Sequence, residues 1–277
     1  MKDLQDRIHW HGAFFEAVQI EFHDDKDVLS FEKEHELSKE SLWIDVLVIK
    51  KEKSAEIKKN IGKIFREFNV LEFKSTTDYI AVHDFNKALG YSFLYSAFQK
   101  VPKKDITVTL VSNRYPRDLI KYLEYEEGLE IEAVGEGIYY AKGGTFPIQI
   151  LEQKKLSSEE NLFLKNLSNN INENDATRII EVLDNLGELS AKNAYLDAVM
   201  AANRQVFQEV SSMSAVMKEI FLEAAEKNGW YEERDKERIK ERMIAQAKEM
   251  LQDGEPLDKI VKYTKLPLEV VRTLLQS

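Results

Sequence analysis

The segment Ser41-Leu-Trp-Ile-Asp-Val-Leu-Val-Ile49 constrains this chain more than any other. As a strand it is apolar on both faces, so it belongs inside a sheet, covered by layers above and below. One acid, Asp45, stands within that run. Burying an unpaired carboxylate costs several kcal/mol, so a chain keeps one there only with a partner or a metal. Two accounts of Asp45 stay open: an acid paired with an arginine or with backbone amides, and a metal ligand.

The flanking sequence supplies the other layers. Residues 11–22 carry apolar side chains at helical spacing, and residues 84–99 form a second helix ending near Pro102. Strands are expected at 68–75 and 105–112, with shorter ones at 130–134, 137–141 and 146–151, punctuated by Gly135, Gly137, Gly143 and Gly144. This is an α/β domain over residues 1–152, with a mixed central sheet flanked by helices. An all-α region follows. Residues 153–235 read as helical, opened by a capping box of Ser157 and Glu160. Residues 236–277 read as a C-terminal helical module with a helix-turn-helix-like pattern, in which Gly254 ends one helix and Pro256 and Pro267 start the next two.

Composition narrows the chemistry. The 277 residues contain no cysteine, which removes disulfides, thiolate metal sites and a cysteine nucleophile. No apolar run reaches the ~18 residues of a membrane span, and the first residues lack the apolar core of a secretory signal, so a cytoplasmic protein without membrane attachment is expected. A net charge of -10 argues against casual nucleic-acid binding. A groove, however, needs only local positive charge. One basic stretch stands apart: Lys50, Lys51, Lys53, Lys58, Lys59, Lys63 and Arg66 face only Glu52 and Glu56. It reads either as a solvated connection between strands or as a phosphate-contacting rim.

Glu72 and Lys74 complete a constellation with Asp45. Residues two apart in a strand point to the same side, which puts both heads on one face roughly 7 Å apart. Two strands that each present an acid toward one point suit Mg²⁺, with Mn²⁺ an equal fit, because both favour hard oxygen ligands. Such a metal lowers the pKa of a bound water and clamps phosphate oxygens. Lys74 would orient the attacking water or stabilise developing charge.

The wording around these residues resembles the PD-(D/E)xK nucleases, and more closely their Rpn-like, transposase-like branch of recombination-promoting nucleases. The matching stretches are Ile44-Asp45-Val-Leu-Val-Ile, Ile61-Gly-Lys-Ile-Phe-Arg-Glu-Phe-Asn69, Glu72-Phe-Lys-Ser75 with Asp78, Phe85-Asn-Lys-Ala-Leu-Gly-Tyr91, and Gly137-Ile-Tyr-Tyr with Pro147-Ile-Gln-Ile. They cover roughly residues 10–155. The resemblance implies a restriction-endonuclease-like core, Asp45 and Glu72 as metal ligands, and Lys74 as the catalytic lysine. It also implies Glu16 as a helical acid completing the metal site. Lys87 and Tyr91 occupy the place of a Gln-x-x-x-Tyr pair that contacts the site in relatives; here lysine replaces glutamine. Phe73 and Thr76 also depart from the usual Tyr-Lys-Ser-Pro wording, though neither is a proposed ligand.

The expected function is therefore a metal-dependent DNA endonuclease, with Lys58, Lys59, Lys63 and Arg66 tracking the substrate backbone and RNA an alternative substrate. The rival expectation is an inactive nuclease-fold protein serving as a binding or assembly module. Self-association through the C-terminal helices, as a homodimer, fits both. His9 and His11 lack further ligands nearby, and Asp24, Asp25 and Asp27 lack the spacing of a calcium loop.

Overall fold

In the computed structural model the described residues are 10–32, 47–74, 80–189, 193–211, 215–230 and 233–275. They form two compact units, Met1–Phe221 and Leu222–Ser277. In the first, helix α1 (Trp10–Glu21) leads to strands β1 (Leu29–Glu32), β2 (Leu47–Lys51) and β3 (Phe68–Phe73). Helix α2 (Val82–Gln99), strand β4 (Ile106–Ser112) and helix α3 (Arg117–Tyr125) follow, then β5 (Glu130–Gly135), β6 (Ile138–Lys142) and β7 (Ile148–Glu152).

All seven strands join one sheet in the order β1-β2-β3-β4-β7-β6-β5. The central trio β3, β4 and β7 is parallel, and antiparallel ribbons β1-β2 and β6-β5 flank it. A parallel pair needs a long crossover, which α2 provides between β3 and β4. Strand β4 is buried at every position, as its run of branched apolar residues and threonines suits a sheet centre covered on both sides. This α/β core followed by an all-α region agrees with the sequence-derived architecture. Strand β1 and helix α3 were not foreseen.

Alternation along the strands assigns the two faces. Val70 shares one face with Val108, Leu110, Ile148 and Ile150, against which Phe85, Ala88 and Tyr95 of α2 and Leu119, Ile120 and Leu123 of α3 pack. Glu72 belongs to this face by the same alternation. Phe73 lies on the other, where the Phe14 ring of α1 stacks on it at 4.5 Å.

That second face carries a buried polar row. Asn69 Nδ2 donates to the carbonyls of Ile49 and Arg66, and Thr107 Oγ1 donates to Asn69 Oδ1. Gln149 Nε2 donates to the Ile61 carbonyl at 3.0 Å. These bonds, with the burial of Ile61 and Phe65, strap the basic connection between β2 and β3 onto the α1 side of the sheet.

Helices α4 (Leu162–Lys165), α5 (Glu173–Asn185), α6 (Ala194–Ala202) and α7 (Arg204–Ser211) follow, and α4 and α6 pack on α1. The expected capping box is not formed: Ser157 Oγ accepts from the Glu159 N–H, and Glu160 accepts from Asn60 Nδ2. The short α4 is capped instead from another element, as described below. Helix α8 spans Ala215–Lys227.

In the second unit, α9 (Glu233–Gln252), α10 (Leu257–Thr264) and α11 (Leu268–Leu275) pack around Ala247, Ile260, Leu266 and Val271. Gly254 takes the left-handed φ of 75° just past α9, and Pro256 and Pro267 immediately precede α10 and α11. No helix of the described residues is long and apolar enough to cross a membrane.

Candidate functional site

The candidate site lies where β3 ends and α2 begins. Glu72, near the end of β3, is only 2% exposed. Lys74 keeps the strand's pairing, its backbone N–H donating to Val111 O at 3.2 Å. The side chains of Glu72 and Lys74 lie side by side, with Lys74 Nζ 3.7 Å from Glu72 Oε1. Helix α2 then crosses this end of the sheet and brings Lys87 Nζ to 3.9 Å from the same oxygen. Tyr91, one turn further along, holds its ring 5.6 Å from that ammonium, within the range of a cation–π contact.

A residue that sequence reasoning passed over completes the group. Asp84, in the first turn of α2, lies 2.8 Å from Lys74 Nζ and accepts from the Ala81 N–H at 3.0 Å. Burial pushes the Asp84 carboxyl up, but the Lys74 hydrogen bond and charge, the Ala81 N–H and the nearby His83 outweigh it and hold the group below the usual aspartate value. An acid in the first turn of a helix is common, since it complements the macrodipole. The only sequence signal was position: Asp84 opens the helix that directly follows the Glu-Phe-Lys strand.

Two buried carboxylates, Glu72 and Asp84, thus meet two partly exposed ammoniums, Lys74 and Lys87, at a strand end. The donors are carboxylate oxygens, which suit a hard cation such as Mg²⁺ rather than a thiophilic one. Among the described residues no group of three His, Asp or Glu could hold a metal ion. Asp45 and Asp78 lie outside the described residues.

The structure does not bring the other expected residues to this point. Glu16 lies on α1, on the opposite side of the sheet from α2, and Glu16 Oε2 accepts from the Tyr195 N–H at 2.7 Å. Its neighbour on the helix, Glu21, accepts from the N–H groups of Phe163 and Leu164. Both acids therefore cap helix N-termini, of α6 and α4 respectively, where free N–H groups and the helix dipole favour negative charge.

Lys59 makes an ion pair with that buried Glu21 and is a structural cation. Lys58, Lys63 and Arg66 are exposed. Arg66 precedes β3, whereas Glu72 and Lys74 stand at its far end, a run of roughly 20 Å in a strand. The strap that carries these cations is also fixed to the α1 face rather than the α2 face.

The fold and site define a class: a mixed α/β sheet whose charged cluster sits at the carboxyl end of parallel strands, the usual place for a ligand in open α/β sheets. No protein family, no curated protein and no solved structure matches this chain.

Proposed function

We propose that this protein is a metal-dependent DNA endonuclease that hydrolyses phosphodiester bonds. The observation that carries the reading is the buried Glu72 carboxylate with two ammoniums, Lys74 and Lys87, within 4 Å of one oxygen at the end of a central parallel strand. Glu72, with Asp45, would hold Mg²⁺ or Mn²⁺ through carboxylate oxygens. The metal would supply an activated water and charge neutralisation at the phosphate. Lys74 would stabilise the negative charge that develops on the phosphoryl oxygens, and Lys87 would fix a neighbouring phosphate oxygen. Water is largely excluded around Glu72, which strengthens each of these interactions. RNA presents the same phosphodiester and is the alternative substrate. A role in recombination, mobile-element or defence processes follows only from the sequence resemblance.

A second reading has its own observation. Lys74 Nζ lies 2.8 Å from Asp84, so the charges can satisfy one another without substrate. On this reading the fold is a binding or assembly module, and the C-terminal helices support a homodimer. Incubation of supercoiled plasmid with Mg²⁺ or Mn²⁺ separates the two. Nicking by the native chain that falls by about 100-fold or more in Lys74→Ala and in Asp45→Asn supports the nuclease. No cleavage, or cleavage indifferent to both substitutions, favours the module.

A further inference from the structure

Because β3, β4 and β7 are adjacent and parallel, their carboxyl ends open on one edge of the sheet. The chain places cations just beyond each of them. Lys74 follows β3, Arg114 and Arg117 lie in and after the turn that leaves β4, and Lys154 and Lys155 follow β7. Lys87 joins them from α2.

These segments are tied to one another. The Lys74 N–H bonds Val111 O at 3.2 Å, and the Lys154 N–H bonds Asn113 O at 3.3 Å. Ser112 pairs with Glu152 in the β4–β7 register, so the residues leaving β7 stand about 10 Å across the sheet from Lys74, two strand spacings away. Arg114, Arg117, Lys154 and Lys155 are all exposed. Lys155 is aimed by Tyr139, whose hydroxyl accepts from its ammonium at 3.2 Å while donating to Glu152.

The basic connection singled out in the sequence is different. Lys50 pairs with Glu32, Lys53 with Glu67 at 3.1 Å and Lys59 with Glu21, while Lys51 donates to the carbonyls of Glu52 and Ala55. These four cations are engaged by acids or carbonyls of the fold, and Lys59 with its buried Glu21 lies on the face away from Glu72.

The geometry points to the carboxyl edge of β3, β4 and β7 as the surface that binds the DNA backbone, with Arg114, Lys154 and Lys155 gripping phosphates beside the one held at Lys74. The inference deepens the nuclease reading and rests on it for the choice of DNA. A net negative protein can bind a polyanion when its cations are gathered on one edge. Phosphate contacts of this kind carry no sequence preference, so the edge positions DNA without selecting a base sequence.

The test compares two charge-matched triple variants, Arg114→Gln/Lys154→Gln/Lys155→Gln and Lys58→Gln/Lys63→Gln/Arg66→Gln. Each removes three exposed cations, and circular dichroism and thermal melting verify that both remain folded. Affinity for a fluorescent DNA duplex is measured by anisotropy with Ca²⁺ in place of Mg²⁺, across a salt series. The first triple is expected to weaken binding by about tenfold or more and to flatten the salt slope by roughly two to three, while the second changes both little.

Equal effects of the two triples, or a larger effect of the second, overturn the inference and leave the nuclease reading standing. Binding through this edge without metal-dependent cleavage upholds the inference and overturns the nuclease reading. A native chain that binds no duplex overturns both.

Discussion

The ammonium of Lys74 lies 2.8 Å from the carboxylate of Asp84, a residue on a different element that also accepts the Ala81 N–H. One buried aspartate therefore both orients the lysine of the Glu-x-Lys pair and caps the helix that covers it.

Replacing Asp84 with asparagine removes the charge from both interactions. A loss of about 1–3 kcal/mol in stability at pH 7 is expected, read from urea unfolding. Because the folded Asp84 carboxyl lies below its ordinary value, the stability it contributes is complete above that value, 3.8, and is lost as pH falls through the lower folded value. The gap between native and Asp84→Asn chains is therefore widest at neutral pH and closes in acid. A gap that stays constant down to strongly acidic pH would show that charge is not what Asp84 contributes.

Lys59→Met and Lys58→Met separate a structural cation from a surface one. Lys59 is the cationic partner of Glu21, which is almost fully buried. Burial holds the Glu21 carboxyl above the usual glutamate value, and Lys59 and the N–H groups of Leu164 and Phe163 offset this only in part. Removing Lys59 strands that carboxylate and should cost about 3 kcal/mol at pH 7. The cost shrinks as pH falls and Glu21 takes up a proton. Lys58 is exposed, and its replacement should stay within about 0.5 kcal/mol.

Gly137→Ala tests the corner behind Lys155. Gly137 has φ of 70°, and a Cβ there would sit 2.6 Å from Glu152 O and 2.9 Å from Leu156 N, both backbone atoms. Neither can retreat as a flexible side chain could. A destabilisation of about 2–3 kcal/mol is expected by thermal melting. If the edge grips DNA, duplex binding should also weaken, because the turn that carries Lys155 must shift.

Ile260→Ala addresses the C-terminal unit by itself. Ile260 is fully buried among Ala247, Leu266 and Val271. Loss of its side chain should cost about 2–5 kcal/mol within that three-helix cluster. Hydrogen exchange followed by mass spectrometry should show α9, α10 and α11 losing protection while β3 and β4 keep theirs. Equal loss in both places would mean that the two units unfold together.

Much of this architecture was legible in the residues. The runs at 68–73 and 106–112 read as strands because they are short and rich in β-branched and aromatic residues, and glycines marked the turns of the ribbons after residue 130. Spacing alone placed Glu72 and Lys74 on one side, since a strand repeats every two residues. Strand β1 escaped notice because Leu-Ser-Phe-Glu is too short and too polar to stand out, and α3 because nine residues hold little more than two turns of helical pattern.

The sequence by itself determined what is local: period, breakers and the coincidence of a carboxylate and an ammonium two residues apart. The tertiary structure alone decided what each charge meets. It set Glu16 and Glu21 against helix N-termini, paired Lys59 with Glu21 and gave Lys74 to Asp84. It also gathered Arg114, Lys154 and Lys155 at one edge. The physical reason is range. Backbone periodicity acts over a few residues, whereas strand order, the face a helix covers and the partner of a buried ion are fixed by packing between segments tens of residues apart.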